Sequence, residues 1–586
     1  MKNKLKKFRY LLFIPLAGLI ILFSATTDNY FEISKNLDIF ATLFKELNIY
    51  YVDETNPGDL IKTSIDAMLE KLDPYTNYIA ESDIEDYRFM TTGQYGGIGA
   101  LIRKKDNYVM IAEPYENFPA QKAGLIAGDV ILEINGKTAK DKSTSEMSKI
   151  LKGQPGTEVK LLIKREDEPN PLEKTLIREE VKISDVPYFG IVKDSIGYIK
   201  LTSFTETASK EVKNALESLK ENNSMKSLVL DLRGNGGGLL REAVNIVNLF
   251  VEKGQVVVST KGKITEWDRS HVALNSPVDT KIPLTVLIDG NSASASEIVA
   301  GALQDLDRAV IIGNKSYGKG LVQQTRNLSY NAKLKVTVAK YYTPSGRCIQ
   351  KLDYSHRSKD GVVSAIPDSL IAAFKTKGGR VVYDGEGITP DLHVEELRAS
   401  QISQTLLNKM LLFDFASVYR KKHPAIPPAK DFRLTEEDYK ELITFLDGKD
   451  YVYTTRSEKM LEDLEKVARK EKYLDDVQKE YEALKTKLHR NKNEDLKKFK
   501  DEIKEILESE IVSRYYYQKG RVENYLSYDP DLKKAIEVLS DEKLMASVFD
   551  KSFVAKKIKN EEEEELKKDS KPANPNAEDE ENLDEN

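Results

Sequence analysis

The chain has 586 residues, 40% hydrophobic and 31% charged, so at roughly 100 to 200 residues per domain it holds three or four folded units. That excludes a single small binding module and a polytopic membrane protein. The formal net charge is −6, and the last 26 residues alone carry 12 acidic and 3 basic side chains, so the remainder has no basic excess for a phosphate backbone and nucleic acid is not expected as a partner.

The N-terminus reads as an address. Lys2, Lys4, Lys6, Lys7 and Arg9 precede an uncharged apolar run from Leu11 to Phe23, the order of an export signal. The run is shorter than the roughly 20 residues of a spanning helix, and Ser24-Ala25-Thr26 is a loose match to a cleavage site. Residues 1–27 are therefore expected to be a signal peptide or a retained membrane anchor. The protein is expected to be exported to the periplasm or cell envelope, with anchoring in the inner membrane as the second form. The single cysteine, Cys348, excludes an intrachain disulfide, and five scattered histidines show no ligand spacing, so no metal site is expected.

Residues 28–92 carry a helical pattern, with Ile39, Leu43 and Leu47 at four-residue steps and Leu60, Ile65, Met68, Leu69 and Leu72 following before Asp73-Pro74, which predicts a small helical domain. Over 93–167, short β-type runs (Tyr108 to Ala112, Val130 to Ile134, Val159 to Ile163) alternate with Gly and Asn-Gly turns. A compact β-module is expected there. From 168 to 395, strands such as Ser227 to Leu232 and Leu284 to Ile288 alternate with helical segments, which predicts an α/β layer fold. Residues 396–560 are charged and helical and carry no catalytic pattern, so they are expected to form an accessory helical domain. The tail from 561 to 586 is acidic and almost free of apolar residues, a disordered composition.

The chemistry concentrates between Asp231 and Gln323. After the apolar strand, the small polar segment Asp289 to Glu297 opens a helix with the core face Ile298, Val299, Ala302, Leu303 and Leu306. A serine on such a strand-to-helix turn meets free backbone N–H groups and the positive end of the helix dipole, where an acyl-transfer nucleophile is favoured. Serine is also an ordinary helix cap, so this segment alone does not decide. Gly318-Lys319-Gly320 precedes an apolar stretch, and Lys319, Leu321 and Gln323 would share one face of a strand. Upstream, Leu228 to Arg233 runs into Gly234-Asn235-Gly236-Gly237-Gly238, a backbone able to aim N–H groups at a ligand. No Lys-Ser or Lys-Thr follows it, so it is not a phosphate loop.

These motifs together resemble the C-terminal processing, or tail-specific, serine peptidases. The resemblance covers roughly Leu43 to Val394 and includes Leu72-Asp73-Pro74, Tyr95 to Gly99, Ala123-Gly124-Leu125 with Gly128-Asp129, Ile134-Asn135-Gly136, Asp231-Leu232-Arg233, Ser292 to Glu297, Gly318-Lys319-Gly320, Tyr342 to Arg347 and Gly387 to Asp391. It implies a multi-domain α/β chain: a helical N-terminal domain, a PDZ β-domain, a crotonase-like α/β protease core and a helical C-terminal extension. It also implies a Ser-Lys dyad, with Ser294 as nucleophile, Lys319 as general base and Gln323 orienting the lysine. Ser292 and Ser296 are the local rivals. The oxyanion donors fall on the amides of Ala295 and Gly238, the latter preferred to Gly237. Gly96, Gly97, Ile98 and Gly99 match the loop that binds a substrate's C-terminal carboxylate.

A lysine base fits the chemistry only if burial lowers its pKa from about 10.4 towards neutrality, and a glutamine can orient the neutral amine without adding a charge. The family implies no cofactor, protein or peptide substrates held by their C-terminal tails, and is compatible with an oligomer. A non-catalytic PDZ scaffold is the alternative in another class. A hydratase of crotonase-like architecture would need a paired carboxylate and an acyl-CoA pocket that the motifs do not offer. Tyr75-Thr76 stands where the family commonly has His-Ser after Asp-Pro.

Overall fold

The computed structural model describes residues 30–553 apart from 167, 224, 359, 396, 397 and 489–491. The expected signal or anchor over 1–27 and the acidic tail over 561–586 lie outside the described residues. Among the described residues no helix is long and apolar enough to cross a membrane. The chain divides into two units.

The first unit contains the described residues up to Tyr78 with the short segments Thr325–Leu328 and Lys333–Val336. Its helices are α1 over 30–50 and α2 at Pro57–Glu70. Asn56 caps α2, accepting from the amides of Gly58 and Asp59 at 3.1 and 3.4 Å, and Pro57 sits at the first helical position, where its missing N–H costs nothing. The four-residue stripe on α1 is not a core face: Ile39, Leu43 and Leu47 are 53%, 58% and 37% exposed. After Leu72, Asp73 Oδ1 accepts the amides of Tyr75 and Thr76, both at 2.8 Å, and Oδ2 accepts the Thr76 hydroxyl at 3.0 Å.

The second unit holds everything else. A helix, α3 (Ile84–Thr92), ends at Gly93 in the left-handed conformation and leads into β1 (Gln94–Gly97). The β-module follows as β2 (Ala100–Lys105), β3 (Tyr108–Pro114), α4 (Pro119–Lys122), β4 (Val130–Ile134), α5 (Thr144–Leu151), β5 (Glu158–Lys164) and β6 (Leu172–Ile177), with the antiparallel order β2-β3-β4-β5-β6. In β5 every second side chain, Val159, Leu161 and Ile163, is buried, and these pack with Val109, Ile111, Leu125, Ile131, Met147 and Leu151. The strand β7 (Glu179–Lys182) returns to pair with β1.

The α/β part is a six-stranded sheet. Its strands are β8 (Tyr188–Lys193), β9 (Ile196–Lys200), β10 (Ser227–Asp231), β11 (Leu284–Ile288), β12 (Val310–Gly313) and, after β13 (Leu321–Asn327), β14 (Leu392–His393). The order is β8-β9-β10-β11-β12-β14, with β8 antiparallel to β9 and the others parallel. Between them run α6 (Ala208–Asn223), α7 (Leu240–Asn248) and α8 (Ala295–Asp305). Strand alternation divides the core in two. Leu228, Leu230, Val286, Ile288 and Ile311 join the helical face carrying Leu216, Ile246, Val299 and Leu303. Val229, Leu287, Val310 and Ile312 join the opposite face with Leu532, Ala535, Val538 and Val548.

Those last residues belong to α16 (Pro530–Ser540) and α17 (Glu542–Val548), the end of the C-terminal helical region. A parallel sheet is buried on both faces, and here the second layer comes from beyond residue 395. The helices expected as an accessory therefore include two that complete the α/β core. A separate core forms upstream, where α9 (Gln401–Asn408), α10 (Leu411–Lys422), α11 (Glu436–Leu446) and α15 (Lys500–Tyr525) pack Leu406, Phe415, Leu442, Leu507 and Ile511 together, with α12 (Arg456–Lys470), α13 (Leu474–Leu488) and α14 (Lys492–Lys498) between α11 and α15 in the chain.

A buried ion pair ties off the lower end of α8. Arg347, 1% exposed, donates through Nη2 to Gln304 Oε1 at 2.7 Å and Asp305 Oδ1 at 2.8 Å, and through Nη1 to the Tyr383 carbonyl at 3.1 Å. Arg347→Ala leaves Asp305 as an unpaired buried charge and is expected to cost about 3 to 5 kcal/mol in urea unfolding. A loss below about 1 kcal/mol, the range of an exposed pair, would contradict this placement.

Candidate functional site

The candidate residues gather at the carboxyl ends of β10, β11 and β12, where open parallel sheets place their ligand crevices. β11 ends at Ile288, and residues 289–294 turn the chain into α8. The three serines of this turn have different surroundings. Ser292 is fully buried; its hydroxyl donates to the Leu232 carbonyl at 2.9 Å and lies 3.1 Å from Asp289 Oδ1. Ser296 is also fully buried and donates to the Asn235 carbonyl at 2.8 Å. Ser294 is half-buried and stands at the N-cap of α8 with φ 54° and ψ −109°. A non-glycine residue held there stores about 1 to 3 kcal/mol of strain, which the surrounding contacts must offset. Two of the three hydroxyls are thus committed to buried carbonyls, and the third is presented on a strained strand-to-helix turn.

The strain is fixed by Glu297. This carboxyl is fully buried and receives four donors: Oε1 accepts Ser316 Oγ at 2.6 Å and the Gly318 amide at 2.7 Å, while Oε2 accepts the amides of Ser294 at 2.7 Å and Lys319 at 2.9 Å. Burial pushes its pKa up, and the hydrogen bonds pull it back down. Because one oxygen serves the main chain at both 294 and 319, the serine turn and the lysine loop are brought together. Sequence reasoning assigned Glu297 no role, although a serine three residues before a glutamate at a helix start is a capping signal that marks it.

Lys319 itself is half-buried. It does not share a strand face with Leu321 and Gln323, because β13 begins only at Leu321 and the amides of Gly318 and Lys319 go to Glu297 instead of a neighbouring strand. The glycines on either side are forced by close approach: a Cβ on Gly318 would lie 2.5 Å from Lys351 Cβ, and one on Gly320 would lie 2.8 Å from the Gln350 nitrogen. Gln323 lies on β13, and its Nε2 donates to Thr337 Oγ1 at 3.1 Å. The Ser294 carbonyl receives the buried Tyr341 hydroxyl at 3.2 Å.

The glycine run lies against the serine turn. A Cβ on Gly237 would fall 2.7 Å from the Ala293 carbonyl oxygen and 2.9 Å from Ser294 Cβ, at φ +101°. Its amide donates to Asn235 Oδ1 at 2.9 Å. Gly238, at φ +148°, is exposed, and its amide makes none of the described main-chain or side-chain hydrogen bonds. The Asn235 carbonyl accepts both the Ala293 amide at 3.0 Å and the Ser296 hydroxyl, and Asp289 Oδ1 accepts the Gly234 amide at 3.0 Å. These bonds hold the run and the turn in one register.

The loop expected to read a carboxylate divides. Gly96 and Gly97 lie in β1, opposite Glu180 and Glu179 of β7, and a Cβ on Gly96 would be 2.1 Å from the Gly153 carbonyl oxygen. Ile98 and Gly99 lie beyond the strand; their carbonyls accept the amides of Ala120 at 2.7 Å and Tyr115 at 2.9 Å. Ile98 is buried and lines a cavity of about 180 Å³ with Phe89, Tyr95, Leu101, Ile102 and Leu151. The cavity lies between α5 and β2, which is an edge strand of its sheet.

Glu297→Gln replaces an acceptor oxygen with an amide NH2 that must face two donors whichever way it turns. The variant is expected to lose about 1 to 3 kcal/mol of stability, read by urea unfolding. A variant as stable as the parent would show that the four-donor carboxylate does not hold the site.

Comparisons with known proteins agree with this architecture. Residues 195–356 match peptidase family S41, residues 110–165 match a PDZ domain, and residues 402–539 match the C-terminal helical domain of probable PDZ-proteases. The carboxy-terminal-processing protease of Bartonella bacilliformis is 37% identical over 341 residues, 58% of this chain and 78% of that protein. A probable CtpA-like serine protease of Staphylococcus aureus is 37% identical over 317 residues, 54% of this chain and 62% of that protein. A solved photosystem II D1 C-terminal processing protease is 27% identical, covering 61% of this chain and 92% of that one with a TM-score of 0.33. On the strength of the Bartonella relative and the three matched segments, the chain belongs to peptidase family S41, with the carboxy-terminal-processing proteases that carry a PDZ domain.

Proposed function

We propose that this protein is an exported serine endopeptidase that captures polypeptides by their C-terminal tails and hydrolyses them with a Ser294–Lys319 dyad. The observation that carries the reading is the carboxylate of Glu297, whose Oε2 takes the amides of residues 294 and 319 together while the hydroxyls of Ser292 and Ser296 are bonded to buried carbonyls. Ser294 Oγ attacks the peptide carbonyl, and neutral Lys319 takes its proton. The oxyanion forms beside the amides of Ala295 and Gly238, at the positive end of α8. Lys319 returns the proton to the leaving amine, and water then cleaves the acyl-enzyme by the same route. Gln323 is assigned to orient the lysine.

The substrate's tail is proposed to add as a strand along β2, with its last side chain in the cavity beside Ile98 and its carboxylate at the Ile98 and Gly99 amides. Gly96 and Gly97 then shape the loop from within a strand. The basic and apolar N-terminus supports export to the periplasm or cell envelope, with or without a retained anchor. Substrate contact by tail alone, without cleavage, is the reading to exclude.

The test is steady-state cleavage of one peptide as free acid and as C-terminal amide, by the parent and by Ser294→Ala. Loss of charge-assisted bonds worth about 1.5 to 3 kcal/mol is expected to lower kcat/KM for the amide about tenfold to a hundredfold. Ser294→Ala is expected to bind the acid and cleave neither. Equal efficiency on acid and amide would remove tail reading, and residual turnover by Ser294→Ala would remove the dyad.

A further inference from the structure

The glycine run that carries the Gly238 amide has one anchoring side chain within it, the buried Asn235, which donates to the Leu201 carbonyl at 3.0 Å and accepts the Gly237 amide at 2.9 Å, while Gly234, Gly237 and Gly238 are all at positive φ. Its entry from β10 is set by Arg233, the last side chain before it. All five N–H groups of Arg233 have acceptors. Nε donates to Asp231 Oδ1 at 3.0 Å, and Nη2 donates to Asp231 Oδ2 at 2.6 Å and Asp529 Oδ2 at 2.5 Å. Nη1 donates to Asp529 Oδ1 at 2.8 Å and Asp531 Oδ2 at 2.7 Å. Lys200 Nζ holds the Arg233 carbonyl at 2.8 Å and Asp231 Oδ2 at 3.2 Å, and the Tyr198 hydroxyl closes the cluster on Asp231 at 2.6 Å.

Two of the three carboxylates come from nearly 300 residues downstream. Asp529 is fully buried and also caps α16, accepting the amides of Asp531 at 3.0 Å and Leu532 at 3.2 Å. Since α16 is packed onto the sheet through Leu532, Ala535 and Val538, the cap carboxylate has a fixed position. Burial alone would push Asp231 up, yet Arg233 and Lys200 beside it hold its carboxyl well below the usual range, so Asp231 stays ionised at neutral pH.

We propose that Asp529, assisted by Asp531, is a positioning residue for peptide hydrolysis: it grips Arg233 from the C-terminal helical region and so sets the glycine run against the Ala295 amide. The proposal rests on the dyad reading above. It gives the helical region a part in the reaction beyond covering the sheet. Removing an oxyanion donor outright costs about a hundredfold to a thousandfold in kcat, and displacing one costs less.

The test uses the full chain and Asp529→Asn, because asparagine caps a helix as well as aspartate does and so isolates the lost charge. The expected result is a fall in kcat of about tenfold to a hundredfold with KM unchanged. Affinity for a peptide aldehyde, whose carbonyl becomes a tetrahedral adduct on the serine, should fall by the same factor. Affinity for a free-acid tail peptide, measured separately, should not move. A kcat within twofold of the parent overturns the proposal, as does an equal loss of tail affinity, which a general structural role would produce. If Asp529→Asn does not fold, Asp531→Asn, which reaches Nη1 alone, is read instead; a several-fold fall in kcat supports the proposal and an unchanged kcat overturns it. A parent that cleaves no peptide overturns the peptidase reading itself, whereas a parent that cleaves as well as Asp529→Asn overturns only the positioning role.

Discussion

One buried carboxylate organises this site. Glu297 lies wholly out of water, a costly place for a charge, and is tolerated there because four donors converge on it. Three of them are main-chain amides from two segments, the α8 cap and the loop after β12, which are also joined by the Tyr317 amide on the Ser292 carbonyl at 3.1 Å. The carboxylate therefore does for the backbone what a strand pairing does elsewhere: it sets a register. It also offsets the strain at Ser294, whose backbone lies in a region that few non-glycine residues occupy.

Around that node, support comes from far along the chain. The α/β sheet is parallel over five of its six strands and must be covered on both faces, yet only one face is supplied by the helices between its strands. The other layer is α16 and α17, from the far side of a separate helical core. The same α16 carries the carboxylate that grips Arg233. Covering a face and fixing a loop are thus two consequences of one docking event. A truncation before residue 529 would remove both together.

Much of this was legible in the residues. The serine turn, the glycine run after Arg233 and the glycine-flanked lysine are short-range signals, because each uses residues that allow a sharp turn or a close approach. The β-module was likewise readable from alternation such as Val159, Leu161 and Ile163. Two features were not. The β-type pattern Lys319, Leu321, Gln323 suggested a common strand face, but the strand starts later, since a carboxylate rather than a neighbouring strand takes the amides of Gly318 and Lys319. The role of α16 was hidden because a charged helix is read locally as solvated; its partner, Arg233, is 296 residues away from Asp529. In both cases a long-range polar contact decided what a local period could not.

The identity of the nucleophile can be read directly. Treating the full-length protein with a fluorophosphonate and mapping the modified peptide by mass spectrometry reports which serine hydroxyl is activated. The adduct is expected on Ser294 and to be absent from Lys319→Arg, whose guanidinium cannot accept the proton. An adduct on Ser292 or Ser296, or labelling of Ser294 that persists undiminished without the lysine, would contradict the dyad.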